Sequence, residues 1–306
     1  MIRLALGITG LALVAVPVAD AQRFRERLAE RMAERAAARG AEAPAAGMVE
    51  HSFGTDPLQK LDFWAAKDTA RPAPIVIFVH GGGWKRGDKR NATGAAKVTH
   101  FLEQGYAVAS VNYRLVPAAK VEDQAADVAA AFAWLRSNAS KLNIDPARMV
   151  LMGHSAGAHL VALVGTDPRY ARAAGFALSD ISGVIPLDGA AYDVAAQLAD
   201  GPSIMQDTYG QAFGSDPARQ KSLSPTLHAA GPNAPAFLIL HVDRDDGKRQ
   251  SEALGAALRQ AGTPAQVTRI EGRGLIGHME VNRKLGQPDY PATPVVDAWL
   301  KTRFQP

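Results

Sequence analysis

The sequence predicts an α/β fold, a three-layer α/β/α sandwich built on a mostly parallel sheet of eight strands with a small cap-like insertion. Three observations carry that expectation. Continuous apolar runs such as Ile75-Val76-Ile77-Phe78-Val79 suit strands buried on both faces. Helical patterns alternate with the later runs, as crossover connections between parallel strands require. A chain of 306 residues, 47% hydrophobic and 21% charged, is large enough for one sizeable core.

Taken in order, strands are expected over 49–53, 61–65, 75–79, 106–111, 149–152, 183–187, 237–242 and 266–270. The first two, joined by a short Gly-Thr-Asp-Pro turn, read as antiparallel. Helices are expected over 91–104, 122–142, 156–166, 250–261 and 291–303. Residues 188–235 are rich in Gly, Pro and Ala with short helical pieces; this insertion is the candidate substrate-contacting cap of a catalytic domain spanning 48–306. No internal repeat is visible.

The N-terminal region reads differently. Arg3, an apolar stretch over 4–18 and Ala19-Asp20-Ala21 fit a secretory signal over 1–21, cleaved after Ala21. Roughly 15 apolar residues fall short of the ~20 that span a bilayer, so no stable membrane insertion is expected after its removal. The expectation is an exported protein, periplasmic or secreted. Residues 22–47 form an Ala/Arg/Glu-rich helical linker, with Phe24, Leu28 and Met32 at intervals of four between charges, which reads as a solvated amphipathic helix.

Composition narrows the chemistry. The formal charge is +4, and the linker's six arginines against four glutamates carry half of it, leaving the rest of the chain nearly neutral. Without a Lys/Arg stripe interleaved with aromatics, nucleic-acid binding has no footprint. With no cysteine there is neither disulfide nor lipidated cysteine. The eight histidines lack HExxH or HxH spacing, so no metal site is expected, and the chemistry below needs no cofactor.

Gly153-His154-Ser155-Ala156-Gly157 ends an apolar strand-like run and reads as a nucleophile elbow, in which small flanking residues let strand and helix approach closely enough to hold the serine hydroxyl above the sheet. A serine needs a base, and the base needs an orienting acid. In the chain order nucleophile, acid, base, His278 is the histidine that follows both Ser155 and the last acid-bearing strand. It lies in a glycine-rich stretch, 272–277, expected as a loop. The acid is expected at the end of strand 237–242, where Asp243, Asp245 and Asp246 stand together. Asp245 is the choice, since Asp243 falls nearly on the strand and a loop residue further on can reach the histidine; Asp246 is the alternative.

Oxyanion donors are expected from His80-Gly81-Gly82-Gly83-Trp84, through the amides of Gly82 and Gly83, with Ala156 as a third. The glycines fit neither a phosphate loop, because Asp88 stands where its lysine belongs, nor GxGxxG, because Arg86 takes the third glycine's place. Trp84 is a candidate wall of the acyl pocket or a core residue. His80, His154 and His159 are explained by loop and helix structure without chemistry.

These motifs, with Asn112-Tyr113-Arg114-Leu115, Glu122-Asp123 and Asn143-Ile144-Asp145-Pro146-Ala147-Arg148, resemble the bacterial α/β-hydrolase esterases related to hormone-sensitive lipase. The closer likeness is to the branch of kynurenine formamidases and feruloyl or acetyl-xylan type carboxylesterases, over about residues 49–304. The resemblance implies a Ser155-His278-Asp245 triad, an acyl-enzyme resolved by water, and a structural pairing of Arg114 with Asp123. The expected function is a serine hydrolase of carboxylic esters, short-acyl, aryl or carbohydrate. The alternatives are an arylformamidase, disfavoured by export, and a non-catalytic hydrolase-fold binding module, disfavoured by the intact motifs. Oligomeric state is not legible.

Overall fold

The structure is a computed structural model that describes residues 46–68, 70–90 and 94–305. The proposed signal and all but the last two residues of the proposed linker lie outside the described residues.

Eight strands form one sheet in the order β1-β2-β4-β3-β5-β6-β7-β8. They are β1 (Met48–Ser52), β2 (Lys60–Trp64), β3 (Ala73–Val79), β4 (Ala107–Val111), β5 (Ile144–His154), β6 (Gly183–Leu187), β7 (Phe237–Asp243) and β8 (Ala265–Arg273). β1 with β2 and β2 with β4 pair antiparallel, and every other pair is parallel. Each strand overlaps its expected run, with β5 beginning five residues earlier at Ile144, and the segments 75–79, 149–152 and 237–240 at the centre of the sheet are apolar without interruption, as burial on both faces demands.

The crossovers are α1 (Ala95–Glu103) after β3; α2 (Val121–Ser137) and α3 (Ala139–Leu142) after β4; α4 (Ala156–Thr166) and α5 (Pro168–Ala173) after β5. Between β6 and β7 run four short helices, α6 (Val194–Asp200), α7 (Gln206–Phe213), α8 (Pro217–Ser222) and α9 (Pro225–His228). Then come α10 (Asp245–Gln260) after β7, and α11 (Gly274–Arg283) and α12 (Ala292–Phe304) after β8.

Strand alternation divides the core into two layers. Ile75, Ile77, Val79, Met149 and Leu151 face α2, α4, α10 and the 188–235 insertion. Val76, Phe78, Val150 and Met152 face α1, α11 and α12. Every residue of α4 is buried, which suits its all-round apolar sequence. The insertion joins the first layer: Tyr209 and Phe213 of α7 pack around Trp84. Among the described residues, no helix is long and apolar enough to cross a membrane.

Two differences from the sequence reading bear on the site. The stretch expected as a glycine-rich loop before His278 is mostly helix, since α11 begins at Gly274. The helix expected from 250 starts five residues earlier, at Asp245. The first places His278 on a helix, and the second places Asp245 and Asp246 on the first turn of one.

Candidate active site

Ser155 follows β5 directly and has φ 56° and ψ −118°, a strained conformation for a side-chain-bearing residue. The turn is possible because nothing protrudes from its neighbours. A Cβ on Gly157 would overlap the backbone carbonyls of Val79 and His80, and one on Gly153 would overlap the carbonyl of Gly157. The Ser155 N–H donates to Leu187 O at 3.1 Å, which ties the elbow to the adjacent strand β6.

His278 sits on the second turn of α11. Its Nε2 is 3.1 Å from Ser155 Oγ, and its Nδ1 is 2.6 Å from Asp188 Oδ2. These contacts specify the tautomer: Nδ1–H donates to the carboxylate and Nε2 accepts from the serine hydroxyl. The helix reverses over the sheet because Gly272 and Gly277 meet backbone to backbone, where a Cβ on Gly277 would stand 2.6 Å from the carbonyl carbon of Gly272. His154 packs its ring 4.5 Å from that of His278 and donates Nε2–H to the His278 carbonyl at 2.8 Å, holding the helix from below.

The acid beside His278 is therefore Asp188, and the expectation of Asp245 is corrected. The reason lies in strand order. β6 neighbours β5, so a residue just past its end stands next to Ser155; β7 is one strand further away, about 4.8 Å more. Asp245 is exposed on the first turn of α10, which leads away from β7. The alternative, Asp246, is buried but bonded to Arg244 and Gln197. Asp243 pairs with Arg269 at the surface. The signal available in the sequence was Asp188-Gly189 immediately after the apolar run 183–187, a place read as the start of the insertion.

Asp188 is fully buried with φ 43°. Burial alone would push its carboxyl up; the Arg244 charge, the hydrogen bond from His278 and the Val242 N–H at 3.1 Å prevail and hold it well below the usual carboxylate range. It is thus an anion at any working pH.

Gly81, Gly82 and Gly83 flank the elbow. A Cβ on Gly81 would lie 3.0 Å from Ser155 Cβ. Gly82 and Gly83 have φ 120° and 60°, and the Gly82 carbonyl turns inward to accept from Lys85 and Arg86 amides at 3.3 and 3.2 Å. Among the described residues neither glycine N–H is engaged by a backbone acceptor, and the Ala156 N–H is at a helix start, where amides lack intrahelical partners.

Trp84 is a core residue. It is 1% exposed, its Nε1–H donates to His159 Nδ1 at 3.3 Å, and its carbonyl accepts from Gln124 Nε2 at 2.7 Å. Arg114 pairs with Asp127, through Nη2 to Oδ1 at 2.8 Å; Asp123, its expected partner, instead accepts from the Lys120 N–H at the start of α2.

The family model described as BD-FAE matches residues 61–258. The chain belongs to the BD-FAE family. Its curated relatives include Esterase LipC of Mycobacterium tuberculosis, 30% identical over 75% of this chain and 57% of that protein. Esterase LipQ of the same organism is 33% identical over 66% of this chain and 50% of its own length. The chain thus spans about half the length of these relatives. Among solved structures, Esterase B from Lactobacillus rhamnosis superposes with a TM-score of 0.73 at 22% identity, covering 92% of this chain and 93% of that one. A hyperthermophilic esterase from Pyrobaculum calidifontis gives 0.72 at 20% identity, covering 90% and 93%. At those identities the likeness establishes the α/β-hydrolase fold, so this BD-FAE member carries the fold its motifs imply.

Proposed function

We propose that this BD-FAE protein is a serine hydrolase of carboxylic esters. The observation that carries the reading is the hydrogen-bonded line Asp188–His278–Ser155, with the serine held on a strained turn at the carboxyl end of a parallel sheet. In this reading Ser155 Oγ attacks the ester carbonyl while its proton passes to His278 Nε2, and Asp188 stabilises the resulting imidazolium. The amides of Gly82, Gly83 and Ala156 receive the oxyanion. The imidazolium then returns the proton to the departing alkoxide, leaving an acyl-enzyme that water hydrolyses by the same steps. The names of the curated relatives, esterases, support an ester over an amide. Substrates are proposed to be short-acyl, aryl or carbohydrate esters, and the protein is proposed to act after export through its N-terminal signal.

The test has two parts. An organophosphonate probe should label the full chain covalently and leave Ser155→Ala unlabelled; labelling of the variant at wild-type rate would remove Ser155 from the reading. A p-nitrophenyl ester panel from acetate to decanoate should show saturable turnover, strongest at short chains, and an intact mass of the exported protein lacking residues 1–21 would support the signal.

A further inference from the structure

The Asp188 oxygen that holds His278 also faces a guanidinium. Arg244, just past β7, has its Nε 3.2 Å from Asp188 Oδ2, and its Nη1 lies 2.7 Å from Asp246 Oδ2. Its Nη2 also donates to the Gly189 carbonyl at 3.0 Å. Both carboxylates are buried, and each guanidinium bond strengthens in that low-dielectric setting. An acid helps a histidine base by presenting negative charge to the imidazolium. A guanidinium on the same oxygen cancels that charge unless a further anion restores it.

We propose that Arg244 and Asp246 are an opposed pair of positioning residues for the triad: Arg244 fixes the Asp188 carboxylate, and Asp246 returns the negative charge that Arg244 removes. Asp188, Arg244 and Asp246 together then present a single net negative charge to His278. This explains why Asp246 is buried although it does not touch the histidine. The inference rests on the esterase reading of Ser155 and His278, but its deciding measurement does not depend on turnover.

The other groups around His278 are the same in every variant compared, so they do not set the sign of the differences between variants. His154 faces it from the end of β5, and burial with the neighbouring His278 charge keeps it neutral. Lys97, on α1, holds Asn282 one turn further along α11, with Nζ 2.7 Å from Oδ1; burial lowers it to about 7. Glu280, on α11 itself, is paired with Lys284. The phenols of Tyr192, Tyr209 and Tyr290 are pushed upward by burial and carry no charge at neutral pH.

The pair is also anchored to the insertion. Gln197 of α6 donates to Asp246 Oδ2 at 3.0 Å and to the Tyr209 hydroxyl of α7 at 3.1 Å, while its Oε1 accepts from the Ala191 N–H. The charge balance at the base therefore extends through side chains into the segment between β6 and β7.

The test compares Asp246→Asn, Arg244→Gln and the double variant. In the Ser155→Ala background, the His278 ring is titrated by NMR; with Ser155 intact, the acidic limb of kcat/KM is followed on a p-nitrophenyl ester. Asp246→Asn leaves Asp188 and Arg244 neutralising each other, so the titration and the limb should move to lower pH by about half to one unit. Arg244→Gln removes the cancelling cation, so both should move to higher pH by a similar amount, about half to one unit. The double variant restores a single net negative charge and should return towards wild type. Single variants that leave the titration unmoved, or move it in the same direction, overturn the proposal; so does a double variant displaced further than either single one. If Arg244→Gln does not fold, the isosteric Asp246→Asn decides by its sign. If no ester is turned over by the full chain, the esterase reading fails while the NMR titration still decides the coupling.

Discussion

The two flanks of His278 are held by opposite means. On the nucleophile side, Gly81, Gly153 and Gly157 let β3, β5 and α4 approach until carbonyl groups leave no space for a methyl group. On the acid side, Asp188, Arg244, Asp246 and Gln197 form a buried polar line across β6, β7, α10 and α6. The first arrangement is local in sequence and depends on missing side chains. The second gathers residues 188, 197, 244 and 246 and depends on charges satisfying one another. The difference teaches that one histidine can be served by a rigid steric device and an electrostatic one, each with its own way of failing.

Breaking the acid side at its centre should have the largest effect. Asp188→Asn places an amide where the carboxylate accepts from Nδ1–H, which favours the wrong imidazole tautomer and removes the counter-charge. In the Ser-His-Asp template the same change lowers kcat by about 10⁴, and a loss of that order is expected here in steady-state ester hydrolysis. Asp245→Asn, on the exposed turn, should remain within about twofold of wild type, as surface changes usually do. Equal losses in the two variants would return the acid to β7.

The nucleophile side should break through stability. Gly157→Ala drives a methyl group into the carbonyls of Val79 and His80, and these belong to backbone rather than to a flexible side chain. Overpacking of this kind costs roughly 3 kcal/mol, read as a lower midpoint in urea unfolding. Gly210→Ala on α7 is the contrast, since an added Cβ there meets nothing within 4 Å, and removing a helical glycine should stabilise by about 0.5 to 1 kcal/mol. A Gly157→Ala protein as stable as wild type would mean that the elbow tolerates what its geometry forbids.

The same division explains what could be read from the sequence. Gly153 to Gly157 and His80 to Trp84 are contiguous motifs attached to apolar strands, so the serine, the glycine loop and the sheet were legible in the sequence itself. Asp188 was not, because its qualification is that β6 lies beside β5, and strand adjacency is a property of the sheet rather than of any segment. Asp245 and Asp246 looked suitable because they follow an apolar strand; acidic residues also suit the first turn of a helix, and α10 begins there. The run 272–277 misled for a related reason. Its glycines mark a backbone contact between Gly272 and Gly277 as much as a loop, so the helix carrying His278 starts within them.

The pH dependence of stability separates the two sides. The steric side is lined with buried histidines: burial lowers His80 and His159 to about 4 each, and His154 lies well below the ordinary value of 6.5. Each already spends its ring hydrogen on a carbonyl, His80 on Gly81, His154 on His278 and His159 on Leu223. Their native values lie below the unfolded one, so the unfolded chain binds more protons in the window from about 6.5 down to about 4, and stability falls with pH there. It is fully present above 6.5 and declines by about 1.4 kcal/mol per pH unit for each histidine that stays neutral. Asp188 is lowered from an ordinary value of 3.8, so its contribution is lost only below that window. Urea unfolding at intervals between pH 7 and pH 4 should therefore show a slope of one to three protons, and His159→Gln should remove about one of them. A flat profile down to pH 4.5, followed by a drop, would mean that acid sensitivity resides with the carboxylates, and that the histidines around the elbow are protonated in the folded protein.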